Sequence, residues 1–286
     1  MIDRPVERLP SFIIIGAIKA ATTWIAHQLR QHPGIFLPGP EPHYFSTEFE
    51  RGLQWYTGLF RTAGAAKMIG EKSADYLSHP LAARRIAEML PAARLIVQLR
   101  NPVDRAYSDY CMLYRRGSVS SDPARYLSPK TSENRRFLEN GRYATHIARY
   151  LDSFPQQQLA IILHDDVRAM PEQTLREVCA HIGIEPMIIS ENLIVRKNDS
   201  ETPLLPLGVR RVARPFKHLA RRHRNQQWFQ AIRGALARPV EYPPLSDDLR
   251  ARLYDFYQPE LETLQKMIGR DLTCWTQGTA AATMPR

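Results

Sequence analysis

Residues 16–24, GAIKAATTW, carry side chains of the types that bind phosphate. They directly follow the apolar run 12–15, so a strand would lead through them into a helix. At such a turn the free backbone N–H groups and the positive end of the helix dipole attract anions. Lys19 adds a full charge, and Thr22 and Thr23 add hydroxyl donors. The nucleoside triphosphate loop runs G-x-x-x-x-G-K-[ST], whereas here no glycine stands between Lys19 and the threonines. Alone, the stretch fits a loop for a different phosphate and a threonine-capped helix with a surface lysine equally well.

A second pair, Arg100 and Ser108, follows the apolar run 94–99. An arginine at a strand end offers a two-pronged guanidinium to a phosphate. Enzymes of Mg²⁺ nucleotides in the phosphate-loop class usually place an aspartate there to hold the metal. The alternative is that Arg100 pairs with a carboxylate and Ser108 lies on a helix surface. Asp165 and Asp166, after another apolar run, leave a metal-dependent activity open.

The elements that must position these residues are short apolar runs in alternation with helical patterns. Strands are predicted at 11–15, 67–70, 94–99 and 159–163, and helices at 22–30, 81–90, 103–115, 144–153, 172–182 and 246–268. Asn101-Pro102 is typical of a helix start. Such strands suit a parallel sheet covered on both faces, whose ligands bind at the carboxyl ends of the strands. We therefore predict an α/β fold, a central parallel sheet with flanking helices.

Length and composition favour a single domain over residues 1–286. The chain has 44% hydrophobic residues, no composition break and no repeat of fixed period. Its charged, proline-bearing start is unlike a signal peptide, and no apolar run is long enough for a membrane span. Cys111, Cys179 and Cys274 are widely spaced and odd in number, which indicates a reduced compartment. We expect a cytoplasmic protein.

The net charge of +10 is concentrated in one segment. Residues 202–240, the basic segment, contain nine Lys or Arg and no Asp or Glu. Apolar residues at helical spacing, interrupted by Pro215, predict two short helices there. Two interpretations stay open: a solvated surface, or a lid that contacts an anionic membrane or an anionic acceptor. Because the charge is local, we expect no nucleic-acid partner.

Five motifs in order resemble the sulfotransferases. They are FIIIGAIKAATTW, EPHYFS, GEKSADYL, LIVQLRNPVDRAYSDY and IGRDLTCW, and together they extend from about residue 10 to residue 275. The resemblance is strongest to the branch that contains the carbohydrate (heparan-type) enzymes and many bacterial relatives. It implies a phosphate-loop-like fold, 3′-phosphoadenosine 5′-phosphosulfate (PAPS) as the sulfo donor, and no metal. It also implies in-line transfer to a hydroxyl of a carbohydrate, glycolipid or small natural product.

The same resemblance assigns a donor loop, residues 17–24. Lys19, Ala20, Ala21, Thr22 and Thr23 match the family's K-x-G-T-T, which wraps the 5′-phosphosulfate, except that the family's glycine is Ala21. Alanine restricts the backbone and its approach to phosphate, and it fits if this position is helical.

Other residues match the nucleotide end of the donor site. Arg100 and Ser108 match the residues that bind the 3′-phosphate, the group that distinguishes PAPS from ATP. Trp24 matches a tryptophan that lies against adenine, with a core aromatic as an equal alternative. Some branches carry basic loops that close on the nucleotide, and the candidates for these are Arg196 with Lys197, and Arg238.

On the acceptor side, Glu41 and His43 match a glutamate base that stands two places before a histidine. A well-solvated carboxylate is a poor base, so its surroundings must favour proton uptake. His43 either shares the base role or orients Glu41, and Lys72 matches a lysine near the reacting groups. Lys19 would neutralise the charge that grows on the bridging oxygen of the leaving nucleotide.

Two other classes of function remain as alternatives. One is a metal-dependent nucleotide kinase with an altered phosphate loop. The other is a non-enzymatic protein that binds anionic surfaces, including membranes, through the basic segment. The sequence does not identify the acceptor; the residues proposed to line an acceptor cleft are Tyr114, Arg115, Arg116, Arg142 and Tyr143.

Overall fold

The computed structural model describes residues 8–187, 226 and 237–276. Its strands are β1 Phe12–Gly16, β2 Ile35–Phe36, β3 Met68–Lys72, β4 Arg94–Leu99 and β5 Leu159–Leu163. Its α-helices are α1 Thr22–Arg30, α2 Leu53–Gly58, α3 Ala82–Met89, α4 Pro102–Arg116, α5 Ala124–Leu127, α6 Arg136–Glu139, α7 Tyr143–Leu151, α8 His164–Ala169, α9 Pro171–Ile182 and α10 Asp247–Ile268. Arg196, Lys197 and most of the basic segment lie outside the described residues, so the two helices predicted there stay predictions.

The strands form one sheet in the order β2-β3-β1-β4-β5, and every pair is parallel. This confirms the predicted α/β fold. β1 is central because its apolar residues are covered on both faces, and Phe12, Ile13, Ile14 and Ile15 are all 0% exposed. Since all strands run the same way, the loops that leave their carboxyl ends gather at one edge of the sheet.

Helices cover both faces of the sheet. Alternate residues of a strand point to opposite faces, and those of β1 belong to two different core clusters. Ile13 and Ile15 pack in the cluster that includes residues of α3, α7 and α10. Phe12 and Ile14 pack in the cluster that includes residues of α1 and α9.

Helix α4 begins where Asn101-Pro102 predicts it. The Asn101 side chain accepts hydrogen bonds from the backbone N–H groups of Val103 (3.0 Å) and Asp104 (3.4 Å), and Pro102 occupies the first turn. The predicted final helix is also observed. Its buried face is formed by Leu249, Leu253, Tyr257, Leu261 and Leu264.

The elements that sequence patterns do not predict are short. They are β2, with two residues, and helices α2, α5, α6 and α8, with four to six residues each. A helix of one turn has too few residues for a 3.6-residue period to be visible. None of the described helices has the length and apolarity needed to cross a membrane.

Gly16, at the end of β1, allows the chain that follows β3 to pass close by. A Cβ at this position would lie 2.7 Å from Leu77 Cβ and 2.9 Å from the Ala74 carbonyl oxygen. The backbone N–H groups of Ser73 and Leu77 donate to the carbonyls of Ile14 (3.1 Å) and Ile15 (2.8 Å). The β3 exit, residues 72–75, is therefore fixed beside the donor loop.

Candidate active site

Side chains from four loops meet at the carboxyl edge of the sheet. The donor loop follows β1, the loop with Glu41 and His43 follows β2, the β3 exit follows β3, and Arg100 follows β4. Ligands of parallel sheets bind at this edge, where neighbouring strands have connections that leave in opposite directions. β1 and β4 are such neighbours, because the chain leaves β1 toward β2 on one side and leaves β4 toward β5 on the other.

The donor loop contains two residues with positive φ, Lys19 and Ala21, both at 66°. Ala21 stands at the N-cap of α1 and supplies no side-chain cap. Its carbonyl accepts from the Trp24 N–H (2.9 Å). The first N–H groups of a helix have no partner within the helix and point toward a bound anion. The right-handed helical conformation in which alanine would fit without cost is not adopted at Ala21.

Lys19 is partly buried and lies near charged side chains of both signs. Burial lowers the pKa of Lys19, nearby Asp109 opposes this shift, and Arg100 and Arg116 lower the pKa further. The fold thus brings Lys19 and Arg100 close enough to interact electrostatically, although they are far apart in sequence. Ser108 lies half-buried on α4, the helix that follows Arg100. Arg116 also interacts electrostatically with Lys19, while its place in an acceptor cleft stays a prediction.

On the other side of the donor loop, Glu41 is held by the β3 exit. Its Oε1 lies 2.5 Å from Lys72 Nζ, and its Oε2 accepts from the Ala74 N–H at 2.9 Å. Lys72 Nζ also lies 3.5 Å from Thr23 Oγ1, and the Lys72 side chain is only 7% exposed. Lys72 therefore links the predicted base to the donor loop.

His43 is held by Asp75, a residue that sequence reasoning missed. His43 Nδ1 lies 2.7 Å from Asp75 Oδ1, and Asp75 Oδ2 accepts from Ser46 Oγ at 2.6 Å. The hydrogen bond to Asp75 raises the pKa of His43, while burial opposes the shift. Burial alone would raise the pKa of Asp75, but the bonds from His43 and Ser46 outweigh it and lower that pKa. The pair favours an imidazolium beside a carboxylate.

Beneath these loops lies a second missed carboxyl group, Glu71. It is 0% exposed. Burial raises the pKa of Glu71 to about 7, although hydrogen bonds from Tyr56, Tyr76 and Ser73 lower that pKa. The Tyr56 hydroxyl donates to Glu71 Oε2, and Ser73 Oγ donates to Oε1 at 3.1 Å. The sequence signal that could have indicated Glu71 is an acidic residue near the end of a predicted strand. Buried carboxyl groups are rare without partners, so such a residue predicts a hydrogen-bonded cluster.

Several candidate residues have structural partners. Tyr143 is 1% exposed and donates to the Arg100 carbonyl (2.9 Å), so it does not line a cleft. Arg142 binds Glu260 at 3.1 Å. Trp24, in α1, is half-buried and packs against the core cluster that contains Phe12 and Ile14, while its contact with adenine stays a prediction. Arg238 is exposed.

The two aspartates after β5 anchor the end of the chain that the structure describes. Trp275 Nε1 donates to Asp165 Oδ2 at 2.6 Å, and Arg270 donates twice to Asp166, at 3.0 and 2.9 Å. Nothing in the described ranges forms a cluster of three or more His, Cys, Asp or Glu side chains arranged to hold a metal ion.

Comparisons with known proteins agree with this architecture. A model of the sulfotransferase family matches residues 53–187. Human bifunctional heparan sulfate N-deacetylase/N-sulfotransferase 2 is 27% identical over 302 residues, which cover 96% of this chain and 31% of that protein. Mouse heparan sulfate glucosamine 3-O-sulfotransferase 3A1 is 26% identical over 281 residues, with 95% of this chain and 66% of that protein covered. The chain thus spans about a third of the length of the first of these relatives.

A solved structure extends the agreement to the whole fold. The crystal structure of a sulfotransferase from Alicyclobacillus acidocaldarius superposes with a TM-score of 0.70 at 25% identity, over 94% of this chain and 99% of that chain. The fold and site define a parallel α/β protein in which a strand–loop–helix turn lies beside a carboxylate. In sequence and in fold, the chain is similar to sulfotransferases.

Proposed function

We propose that this protein transfers the sulfo group of PAPS to a hydroxyl of a carbohydrate or a similar small acceptor. One observation carries the proposal: Lys72 Nζ contacts both the Glu41 carboxylate (2.5 Å) and the Thr23 hydroxyl (3.5 Å). A proton acceptor therefore lies directly beside the loop that would hold the group to be transferred.

The residues of the donor loop fit a phosphosulfate. The N-terminus of α1, the Lys19 ammonium and the hydroxyl of Thr23 present donors to an anion, and desolvation of Lys19 strengthens its interaction with negative charge. Arg100 supplies a guanidinium for a second phosphate near Lys19. When bound, the donor supplies the activated sulfo group and a bisphosphate leaving group. Lys19 would then stabilise the charge on the leaving oxygen.

Glu41 would take the proton of the acceptor. Its two oxygens are fixed by donors, Lys72 Nζ and the Ala74 N–H, so its direction is set before the acceptor binds. Because the hydrogen bond to Asp75 raises the pKa of His43, a larger fraction of this imidazole is already protonated at a given pH and cannot accept a further proton. This supports Glu41 as the base and gives His43 a role in orienting the acceptor.

The acceptor class rests on the names of the relatives, which act in heparan sulfate modification. We infer a sugar or glycolipid hydroxyl, with sugar amines as a comparison in the assay. The basic segment would bind an anionic acceptor or a membrane surface, and nucleic acid is not expected as a partner. A cytoplasmic location is part of the same proposal. The described cysteines Cys111, Cys179 and Cys274 are free thiols, in keeping with a reduced compartment.

The kinase alternative is less well supported. Its candidate metal ligands were Asp165 and Asp166, and these bind Trp275 and Arg270. An Arg100 that follows β4 suits a phosphate better than a cation. The proposal includes transfer without a metal, which an assay with and without chelator would test.

The first prediction separates donor binding from chemistry. Glu41→Gln keeps the size of the side chain but removes the base. We expect turnover to fall by about 10²–10⁴-fold, while the affinity for adenosine 3′,5′-bisphosphate stays within about threefold because Glu41 is not a donor-loop residue. Turnover is measured with labelled PAPS and a panel of sugar hydroxyl and amine acceptors, and affinity by calorimetry.

Matched measurements with AMP and ATP test the donor itself. The parent protein should bind the bisphosphate more tightly than either, and Arg100→Ala should narrow that preference. Equal affinity for AMP and the bisphosphate would refute the PAPS assignment. Nearly full turnover in Glu41→Gln would show that another residue is the base.

A further inference from the structure

A buried hydrogen-bond cluster lies below the loop with Glu41 and His43. Its centre is Glu71 in β3, which no solvent reaches, so it cannot touch an acceptor or a donor. The hydroxyls of Tyr56, Ser73 and Tyr76 surround its carboxyl group and form hydrogen bonds with it. All three residues are 0% exposed.

Two of these hydroxyls also hold the backbone of the loop. Ser73 Oγ accepts from the His43 N–H at 2.9 Å, and the Tyr76 hydroxyl accepts from the Phe45 N–H at 3.1 Å. Tyr56 makes no such contact with the loop backbone among the described residues, although its ring stacks on Tyr44.

The proton positions follow from the chemistry of the groups. An ionised carboxylate only accepts hydrogen bonds, whereas a hydroxyl has one proton to donate and lone pairs to accept. Hydroxyls that donate to Glu71 therefore turn their lone pairs toward backbone N–H donors. An amide at position 71 would present its own N–H₂ group to one hydroxyl and compete with the backbone for those lone pairs.

We propose that Glu71 is a positioning residue for the reaction: through Ser73 and Tyr76 it fixes the backbone at His43 and Phe45, and thereby the direction of Glu41 and His43. The inference rests on the proposed function for its catalytic consequence. It concerns an arrangement of protein groups that is present without any ligand. A misplacement of about 1 Å in reacting groups can cost about 10²-fold in rate.

The test uses Ser73→Ala, Tyr76→Phe and Glu71→Gln, with Tyr56→Phe as the matched control. The control also removes a hydroxyl from Glu71 but leaves the hydrogen bonds to the loop backbone. Amide exchange of His43 and Phe45 is measured by NMR at about pH 8, above the pKa of Glu71 of about 7. Turnover and bisphosphate affinity are measured on the same samples.

We expect the His43 amide to exchange at least about tenfold faster in Ser73→Ala, and the Phe45 amide to do so in Tyr76→Phe. Both should accelerate in Glu71→Gln and neither in Tyr56→Phe. Turnover should fall about 10–100-fold in the three test variants with bisphosphate affinity unchanged. A merely structural role would lower the melting temperature equally in all four variants without this split.

Two results would overturn the inference: unchanged exchange of both amides, or turnover in the folded variants within about twofold of the parent. If Glu71→Gln does not fold, the two single-hydroxyl variants decide the question. A parent protein that transfers no sulfo group would refute the proposed function instead, and the exchange data would still report whether Glu71 anchors the loop.

Discussion

Glu41 and His43 are two residues apart, yet both are held by partners from one short segment, the β3 exit. Glu41 binds Lys72 and the Ala74 N–H, and His43 binds Ser73 and Asp75. Hydrogen-bond donors surround the Glu41 carboxyl group, whereas a carboxyl group, that of Asp75, accepts from the His43 imidazole. The residues after β3 therefore set both the position and the charge of the acceptor side.

The pair of His43 and Asp75 predicts a pH dependence. The pKa of His43 is raised above its unfolded value of about 6.5. His43 therefore contributes its full stability below about pH 6.5 and loses it as the pH rises through the folded pKa of His43. The pKa of Asp75 is lowered, so its contribution is present above its unfolded pKa of about 3.9 and is lost as the pH falls through the folded value.

In Asp75→Asn we expect the pKa of His43 to fall, because the ionised acceptor is removed. An NMR titration of the imidazole measures this directly. Ser46→Ala is the control, since it removes a different bond to Asp75 and leaves the bond from His43 in place. An unchanged His43 titration in Asp75→Asn would show that Asp75 does not hold the imidazolium.

Among the elements, α1 begins in an unusual way. Ala21 at its N-cap has φ 66° and ψ 25°, a left-handed conformation that glycine adopts without strain. A left-handed L-residue costs about 1–2 kcal/mol. The alanine thus stands where the family pattern has glycine and where the backbone shape is the one glycine favours.

We predict that Ala21→Gly raises the free energy of unfolding by about 0–1.6 kcal/mol, because the relief of about 1–2 kcal/mol of strain is offset by about 0.4–1 kcal/mol of added freedom in the unfolded chain. Bisphosphate binding should tighten, since the Cβ no longer limits the approach of phosphate. Urea unfolding and calorimetry measure the two effects.

Ala20→Gly is the matched control for this substitution. Ala20 is 0% exposed and has no positive φ, so its loss should destabilise by about 1 kcal/mol without strengthening binding. Equal destabilisation in the two variants would mean that position 21 is not strained.

At the scale of the molecule, residues after α10 tie the last described segment to the carboxyl edge of the sheet. Trp275 is 2% exposed, its indole donates to Asp165, and its carbonyl accepts from the Asn101 side chain at 3.4 Å. Arg270 pairs with Asp166, but the Arg270 side chain is 49% exposed. One contact is thus buried and the other faces water.

Trp275→Phe should therefore destabilise by about 1–3 kcal/mol, through the lost hydrogen bond and the smaller ring. Arg270→Gln should cost at most about 1 kcal/mol, because exposed ion pairs are weak. Urea midpoints of the two variants measure the difference. Equal shifts would show that the segment is not held by the packing of Trp275.

Local patterns in the sequence determined the regular elements and the family motifs. β4, β5 and α1 have the same bounds in the structure as in the prediction, because each is long enough to show its period or a continuous apolar run. The strand pattern also predicted the parallel sheet and its functional edge. Short elements such as β2 and α5 were not predicted, since they have too few residues to show a periodic pattern of apolar residues.

Only the tertiary structure decided which side chains meet. Glu41 and Lys72 are brought together by the placement of β2 next to β3, since Glu41 follows β2 and Lys72 ends β3, and no local pattern encodes this pairing. The same placement creates the bond between His43 and Asp75 and buries Glu71 under the loop. The left-handed turn at Ala21 likewise follows from the path between β1 and α1, not from the preference of alanine. Contacts between residues distant in sequence depend on strand order, and strand order is a property of the packed core.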